Sequence, residues 1–276
     1  MAGLLRTAHA AEEETPDQAY TLFRYEHNKI FTDHPFPVQP GKVQVKPTYT
    51  FLAADHKYGH DGQLEPRPRL NDHAGLLFVT TGLADRLDAT GVIGLSALSD
   101  KAGTPGSGSG VTDFAASSTY QFYSSQKHQF AMAYLPTFIF PTGQRATRVA
   151  RGPSQNVFSF DNRVAMNLDW TNDLITCYDI GYMFFAQNKN STSVGLFSTN
   201  FAVGYHVTSW LQPEVEINYL YRVMHDAPDG EALGLSAGLI FPLSSRVRID
   251  AGAQHFVAGR NIPANTIVLV DIAITF

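Results

Sequence analysis

The chain closes on 268-VLVDIAITF-276. Read in steps of two from the end, this stretch gives Phe276, Ile274, Ile272, Val270 and Val268. The residues between are Thr275, Ala273, Asp271 and Leu269. Successive side chains of a β-strand point to opposite faces. One face is therefore wholly apolar and ends on an aromatic, while the other carries a carboxylate. Chain termini usually fray, so a final strand with this pattern must be held by something.

The rhythm recurs upstream. In 214-EVEINYLYRV-223, Val215, Ile217, Tyr219, Tyr221 and Val223 alternate with Glu214, Glu216, Asn218, Leu220 and Arg222. Arg246, Arg248, Asp250, Gly252 and Gln254 alternate with Val247, Ile249, Ala251 and Ala253. Arg163, Asn167 and Asp169 stand against Val164, Met166, Leu168 and Trp170, and Cys177 and Asp179 against Tyr178 and Ile180. Period two over windows of this length predicts strands. About twelve are expected, near 42–53, 72–83, 86–98, 111–123, 127–140, 156–170, 174–186, 193–205, 211–223, 231–241, 246–257 and 265–276.

A soluble sandwich would also alternate. Here the polar sets mix Glu-Glu and Arg-Arg pairs with Gly and Ala, which suits a narrow polar interior. The apolar sets gather Tyr, Phe and Trp toward strand ends, which suits interfacial girdles. The connections also alternate. Short ones lie at 84–86, 124–126, 171–173, 206–209 and 242–245, and longer ones such as 54-ADHKYGHDGQLEPRPRLN-71 separate the other pairs of strands. An even strand number with short turns at one rim and long loops at the other is the pattern of a closed outer-membrane barrel. Closure satisfies every backbone hydrogen bond in lipid, and it explains the terminal Phe276 as the end of the closing strand at the periplasmic rim.

Composition agrees. Charged residues are only 16% of 276, aromatics reach 12%, and mean hydropathy is −0.12. No apolar run approaches the roughly 18 residues of a membrane helix. A net charge of −5 without a basic stripe excludes a nucleic-acid partner. Cys177 is the sole cysteine, so an internal disulfide is excluded.

Residues 1–41 precede the barrel, which spans 42–276. Ala8-His9-Ala10 resembles a signal-peptidase site, but the apolar stretch before it is too short for a signal core. A remnant of a signal and a simple tail both fit. Thr15, Pro16 and Gln18 have the spacing of a helix start, which predicts a short helix over 16–30. The segment 33-DHPFPVQPG-41 then breaks regular structure. Tyr20, Phe23, Tyr25 and Ile30 need a place to pack: the segment can fold into the barrel mouth as a plug, lie against the periplasmic turns or remain disordered, and the first is the expectation.

Few stretches suggest chemistry. His56 and His60 with His73 would have to converge to hold a metal, and on an outer loop they read as solvated. The glycine-rich 104-TPGSGSG-110 lacks the lysine of a phosphate loop. Arg145, Arg148 and Arg151 share one outer loop, where they either hold lipopolysaccharide phosphates, steer an anion, or are simply solvated. Glu214 and Glu216 have no nucleophile at matching depth, so no catalytic residue, cofactor or enzyme activity is assigned. They are expected in a lumen charge network with Arg222, Arg246, Arg248, Asp250, Asp271, Asp169, Asp179 and Arg163. In particular, Glu214 and Glu216 should reach Arg246 and Arg248 across the small Gly238. Trp170, Trp210 and Phe276 are expected as membrane anchors.

In order along the chain, 82-GLADRLDATGVIGL-95, 111-VTDFAASSTYQF-122, 138-FIFPTGQ-144, 204-GYHVTSWLQPEVEINYLYR-222 and 258-AGRNIP-263 resemble the outer-membrane family named for the meta-pathway of phenol degradation. Thr112 replaces that family's glycine before the aspartate, here Asp113. The resemblance covers roughly 41–276. It implies an outer-membrane barrel acting as a passive channel for small molecules, hydrophobic or aromatic ones included. Its partners would be membrane lipid, lipopolysaccharide and the cargo. The alternative is a plugged, non-conducting barrel that serves a periplasmic or envelope protein partner.

Overall fold

The computed structural model describes residues 30–101, 107–125, 129–145, 153–154, 156–186, 193–225 and 227–276. Most of the expected 16–30 helix, and Arg148 and Arg151, lie outside the described residues. The strands are β1 (Val43–Tyr58), β2 (Leu64–Ala84), β3 (Leu87–Asp100), β4 (Ser107–Val111), β5 (Phe114–Ser125), β6 (Phe130–Phe140) and β7 (Ser159–Asp169). They continue as β8 (Leu174–Phe185), β9 (Ser193–Tyr205), β10 (Gln212–Met224), β11 (Gly230–Pro242), β12 (Val247–Arg260), β13 (Ile262–Pro263) and β14 (Thr266–Thr275).

All neighbours are antiparallel, and β1 pairs with both β2 and β14, so the sheet closes. β4 and β5 both lie along β3 as two pieces of one stave, and β13 and β14 both lie along β1. The result is a closed barrel of twelve strands. The terminal strand is held as its pattern requires: Phe276 donates its N–H to Val43 O at 2.8 Å and accepts from Val43 N at 3.3 Å.

Alternation sorts the side chains between two environments. On β10, Val215 and Ile217 are 58% and 51% exposed, while Glu214 and Glu216 are each 3% exposed. A soluble sandwich would bury the first pair and wet the second. Only a barrel in lipid puts isoleucine outside and glutamate inside along one strand. Asn162, which faces outward from β7, is satisfied by the Tyr134 hydroxyl at 2.7 Å. The outward rings of Phe138 and Phe160 stack with centroids 4.6 Å apart.

Two expectations about boundaries are corrected. The long loop expected between the first two strands is mostly strand: β1 and β2 run on to Tyr58 and from Leu64, joined by five residues, 59–63. The backbone keeps pairing there through Lys57↔Glu65 and Tyr58↔Leu64 beyond a bulge at Ala54/His56. Charges and prolines in this stretch obscured the alternation, which outside the membrane need not be apolar. The fourth stave is broken at Thr112–Asp113, where Asp113 accepts the Gly143 N–H at 2.9 Å and Thr142 Oγ1 accepts the Phe114 N–H at 3.0 Å. The Pro141-Thr142-Gly143 motif therefore clamps that break.

Candidate functional site: the barrel lumen

Inward residues of β7 to β12 form a polar chain at mid-depth. Arg163 makes ion pairs with Asp179, with Asp161 at 3.2 Å and with Asp33 at 3.1 Å, and it donates to Ser198 Oγ at 2.8 Å. Asn200 donates to both Asp179 oxygens at 2.9 and 3.0 Å. Asn218 donates to Asn200 Oδ1 at 3.0 Å, and Ser236 and Gln254 carry the chain to β12. Buried polar groups are tolerated because each finds partners, and here the partners sit on successive staves.

A second group occupies the closing seam. Asp250 and Asp271 are directly paired across β12 and β14. Arg248 Nε bonds Asp250 at 3.0 Å, and Lys46 Nζ lies 3.9 Å from Asp271 and 4.9 Å from the Phe78 ring centre. Asp169 accepts from Asn167 at 2.7 Å.

Residues 30–41 cross the lumen as an extended strap. An extended chain outside any ladder must find acceptors for its N–H groups. Prolines at 35, 37 and 40 remove three donors. The wall meets four of the remaining nine with carboxylates, whose charge strengthens each bond. Glu214 Oε1 accepts Ile30 N–H at 3.0 Å, and Glu216 accepts Phe31 N–H at 2.8 Å and the Thr32 hydroxyl at 2.7 Å. Asp179 accepts Asp33 N–H at 2.8 Å, and Asp88 accepts Val38 N–H at 2.9 Å. Gln121 Nε2 donates to Pro35 O at 3.0 Å, and the Cys177 thiol to Asp33 O at 3.5 Å. The strap runs from the β10–β12 wall to β2 and β3, where Pro40 bridges Gly82.

This placement alters the expected charge belt. The gap over Gly238, where Glu–Arg contacts were expected, is filled by Ile30: a Cβ on Gly238 would lie 2.0 Å from Ile30 Cδ1. Glu214 and Glu216 face the strap. Arg248 faces Asp250, and Arg246 lies exposed in the β11–β12 turn. Arg222 is exposed near the outer end of β10. Asp179, Asp169, Asp250 and Asp271 are buried in the interior. Trp170, Trp210 and Phe276 are 63%, 54% and 71% exposed at the rim of short turns. Arg145 is exposed after β6. His56 pairs with Asp55 at 2.7 Å, and His73 with the Tyr49 hydroxyl at 2.8 Å on the outer face.

Sequence reasoning put Asn218 and Gln254 on the polar face without assigning them to the network, and it missed Asn200 and Ser236, although they share the parity of the charged residues. It also missed Asp33, Asp88 and Lys46. Asp33 sits in a proline-rich stretch with no periodicity to place it.

Beside the strap, a cavity of about 320 Å³ remains. Hydroxyls of Thr48, Thr80, Thr90 and Thr119 line it together with Phe78 and Leu269. Toward the loop rim, Tyr58, Ala232, Phe256, Ile262 and Ala264 make a small apolar cluster, with the Tyr58 hydroxyl bonded to Phe256 O at 2.8 Å.

The model of the family described as "Putative MetA-pathway of phenol degradation" matches residues 71–269. Among solved structures, the chain is similar to the COG4313 outer membrane channel from Pseudomonas putida F1. The TM-score is 0.76 at 14% identity, covering 88% of this chain and 98% of that one. It is similar at the level of fold to the NanC porin, with TM-score 0.51, 12% identity and 84% and 98% covered. The β domain of the Bordetella autotransporter BrkA gives TM-score 0.52, 12% identity and 84% and 99% covered. Comparison with curated protein sequences returned no match. With its apolar outer surface and polar interior, the chain is an outer-membrane β-barrel.

Proposed function

The chain belongs to the putative MetA-pathway of phenol degradation family, and from that premise we propose that it is a passive channel for small molecules. The observation that carries this reading is the cavity of about 320 Å³ left in the lumen beside the strap. Twelve strands stand between the eight that side chains can fill and the sixteen that leave an aqueous channel. The lining mixes threonine hydroxyls and the charged groups of Lys46, Asp88, Arg163 and Asp271 with Phe78 and Leu269, which suits a small molecule that carries both polar and apolar surface, such as a simple hydroxylated aromatic. Thr80 and Thr90 already satisfy each other at 2.8 Å, but a bare hydrocarbon would leave the buried Thr48 hydroxyl without a partner. The COG4313 protein from Pseudomonas putida, described as an outer membrane channel, supports the channel class through its fold alone. At the outer rim we assign Arg145 to lipopolysaccharide phosphate.

Purified protein in a planar bilayer tests the channel, and swelling of proteoliposomes in isosmotic phenol against isosmotic sugar tests the cargo. Steady conductance with faster swelling in phenol is expected. The strap itself favours a second reading, a closed barrel that serves an envelope protein. Silence in the bilayer, with or without residues 1–38, would establish that reading instead.

A further inference from the structure

We infer that residues 30–41 form a displaceable gate, latched by Ile30 in a gap between Gly238 and Gly252 and hinged at Gly41; this rests on the channel reading above. Gly238 and Gly252 pair directly across β11 and β12 on the inward face. Two facing glycines open a hole in an otherwise filled wall. Ile30, 7% exposed, fills it: a Cβ on Gly252 would meet Ile30 Cγ2 at 2.7 Å and Cδ1 at 2.9 Å.

The other end is built as a hinge. Gly41 has φ +77°, which favours glycine, and no atom lies within 4 Å of its Cβ position. Gly82 receives the strap's foot: a Cβ there would lie 1.9 Å from Gln39 O. Between latch and hinge, four of the contacts named above are hydrogen bonds from strap amides to carboxylates on β3, β8 and β10, and the others are the Thr32 hydroxyl bond, two bonds to strap carbonyls and the Asp33–Arg163 ion pair. Water can replace each of these when the strap swings out, whereas an element of the wall itself would have to break ladder bonds. The strap crosses the lumen and lines the remaining cavity, so its release widens the path without altering a strand.

Cys177 reports on the strap. It is 1% exposed, and its thiol meets Asp33 O. As the sole cysteine, it can be read by a water-soluble charged maleimide. Full-length protein, Gly252→Ala and Ile30→Gly would be compared for thiol labelling rate and single-channel conductance. Heat-modifiable gel mobility would confirm that each barrel is folded. Gly252→Ala crowds Ile30 from the wall side, and Ile30→Gly removes the latch without touching the wall, so one serves if the other fails to fold. Labelling should quicken roughly tenfold as the thiol gains solvent. Conductance should rise roughly twofold or more as the obstruction leaves a barrel of this size. Unchanged conductance in folded variants, whatever the labelling, overturns the gate while leaving the channel intact. Silence in every form, a deletion of residues 1–38 included, overturns the channel reading itself and the gate with it.

Discussion

Asp250 and Asp271 face each other directly across β12 and β14, at 1% and 5% exposure, beside the seam where the last strand meets the first. Two buried carboxylates at this distance repel unless cations flank them. Arg248 and Lys46 supply one on each side. Removing one partner of a buried charge group is costly because the other charge stays behind. Arg248→Leu is therefore expected to destabilise the barrel by about 3–5 kcal/mol. Arg248→Leu combined with Asp250→Asn should recover part of the loss. Urea unfolding in lipid vesicles, followed by tryptophan fluorescence, measures both. A cost of less than about 1 kcal/mol for the single change would mean that the group is solvated and the seam does not depend on it.

The outer surface gives a test with the opposite sign from a soluble protein. Ile217, in the middle of β10, is 51% exposed. On a water-soluble surface, Ile217→Arg would be nearly neutral or would improve solubility. In lipid, arginine at this depth should cost about 2–4 kcal/mol. The same unfolding assay decides, and a near-zero cost would remove β10 from the membrane.

Strand number, closure and the facing of mid-strand residues such as Val215 and Glu216 were legible because period two survives wherever one side meets lipid. The continuation of β1 and β2 past the membrane was not, since outside lipid Glu65, Arg67 and Arg69 relax the apolar pattern while pairing continues. The acidic side of the lumen was also legible, through the parity of Glu214, Glu216, Asp179 and Asp271. Which groups these carboxylates meet was not. Parity assigns a face, and the Gly238 gap suggested arginines reaching across it. The occupant, Ile30, is 184 residues from the Glu214 that binds its amide, and no local pattern encodes so distant a contact.

The break between β4 and β5 should be intolerant of small changes in the opposing loop. A Cβ on Gly143 would lie 2.6 Å from Thr112 C and 2.7 Å from Asp113 N, all backbone atoms with no freedom to yield. Gly143→Ala is expected to cost about 1–3 kcal/mol, as overpacking does. Gly91→Ala is the control. Its Cβ would first meet the Phe114 ring at 3.7 Å, an ordinary contact, and the change should stay within about 0.5 kcal/mol. Equal effects at the two glycines would show that the clamp carries no strain.

Acid should loosen the loop between β10 and β11 before it unfolds the barrel. Asp229 accepts the Tyr221 hydroxyl at 2.6 Å and the Met224 N–H at 2.8 Å. These two bonds hold its carboxyl below the usual carboxylate range. A lowered folded-state pKa means that the contribution is complete above the unfolded value, about 3.9. It is lost as pH falls through the folded one. Hydrogen exchange at the Met224 amide should therefore stay slow down to about pH 4 and quicken below it, once the intrinsic pH dependence is removed. Asp229→Asn should abolish that acid step. A protection profile that is flat with pH in the parent protein would show that Asp229 does not hold the loop.

The foot of the strap can be tested without measuring conduction. Gly82 N donates to Lys42 O at 3.0 Å, and Gly82 O accepts from Gly41 N at 3.0 Å, so the end of β2 and the start of β1 are pinned together. A Cβ on Gly82 would lie 1.9 Å from Gln39 O and 2.4 Å from Gln39 C. Both are backbone atoms, so Gly82→Ala has no side-chain adjustment open to it. The strap can yield, because Gly41, held by one hydrogen bond to Gly82 O, has open space around it and no side chain to obstruct a turn. The wall is expected to hold, because β2 continues its ladder with β3 through Ala84↔Leu87. Gly82→Ala should thus leave a folded, heat-modifiable barrel whose foot has come away. Lys42, half-buried beside the foot, then becomes a tryptic site. Limited trypsin treatment of folded protein should release the chain before Val43 from the variant much faster than from the parent, with the barrel fragment intact. Equal cleavage rates in two folded proteins would mean that the strap's foot is not seated on Gly82. Loss of heat-modifiable mobility would mean instead that Gln39–Lys42 is part of what holds β1 and β2 together.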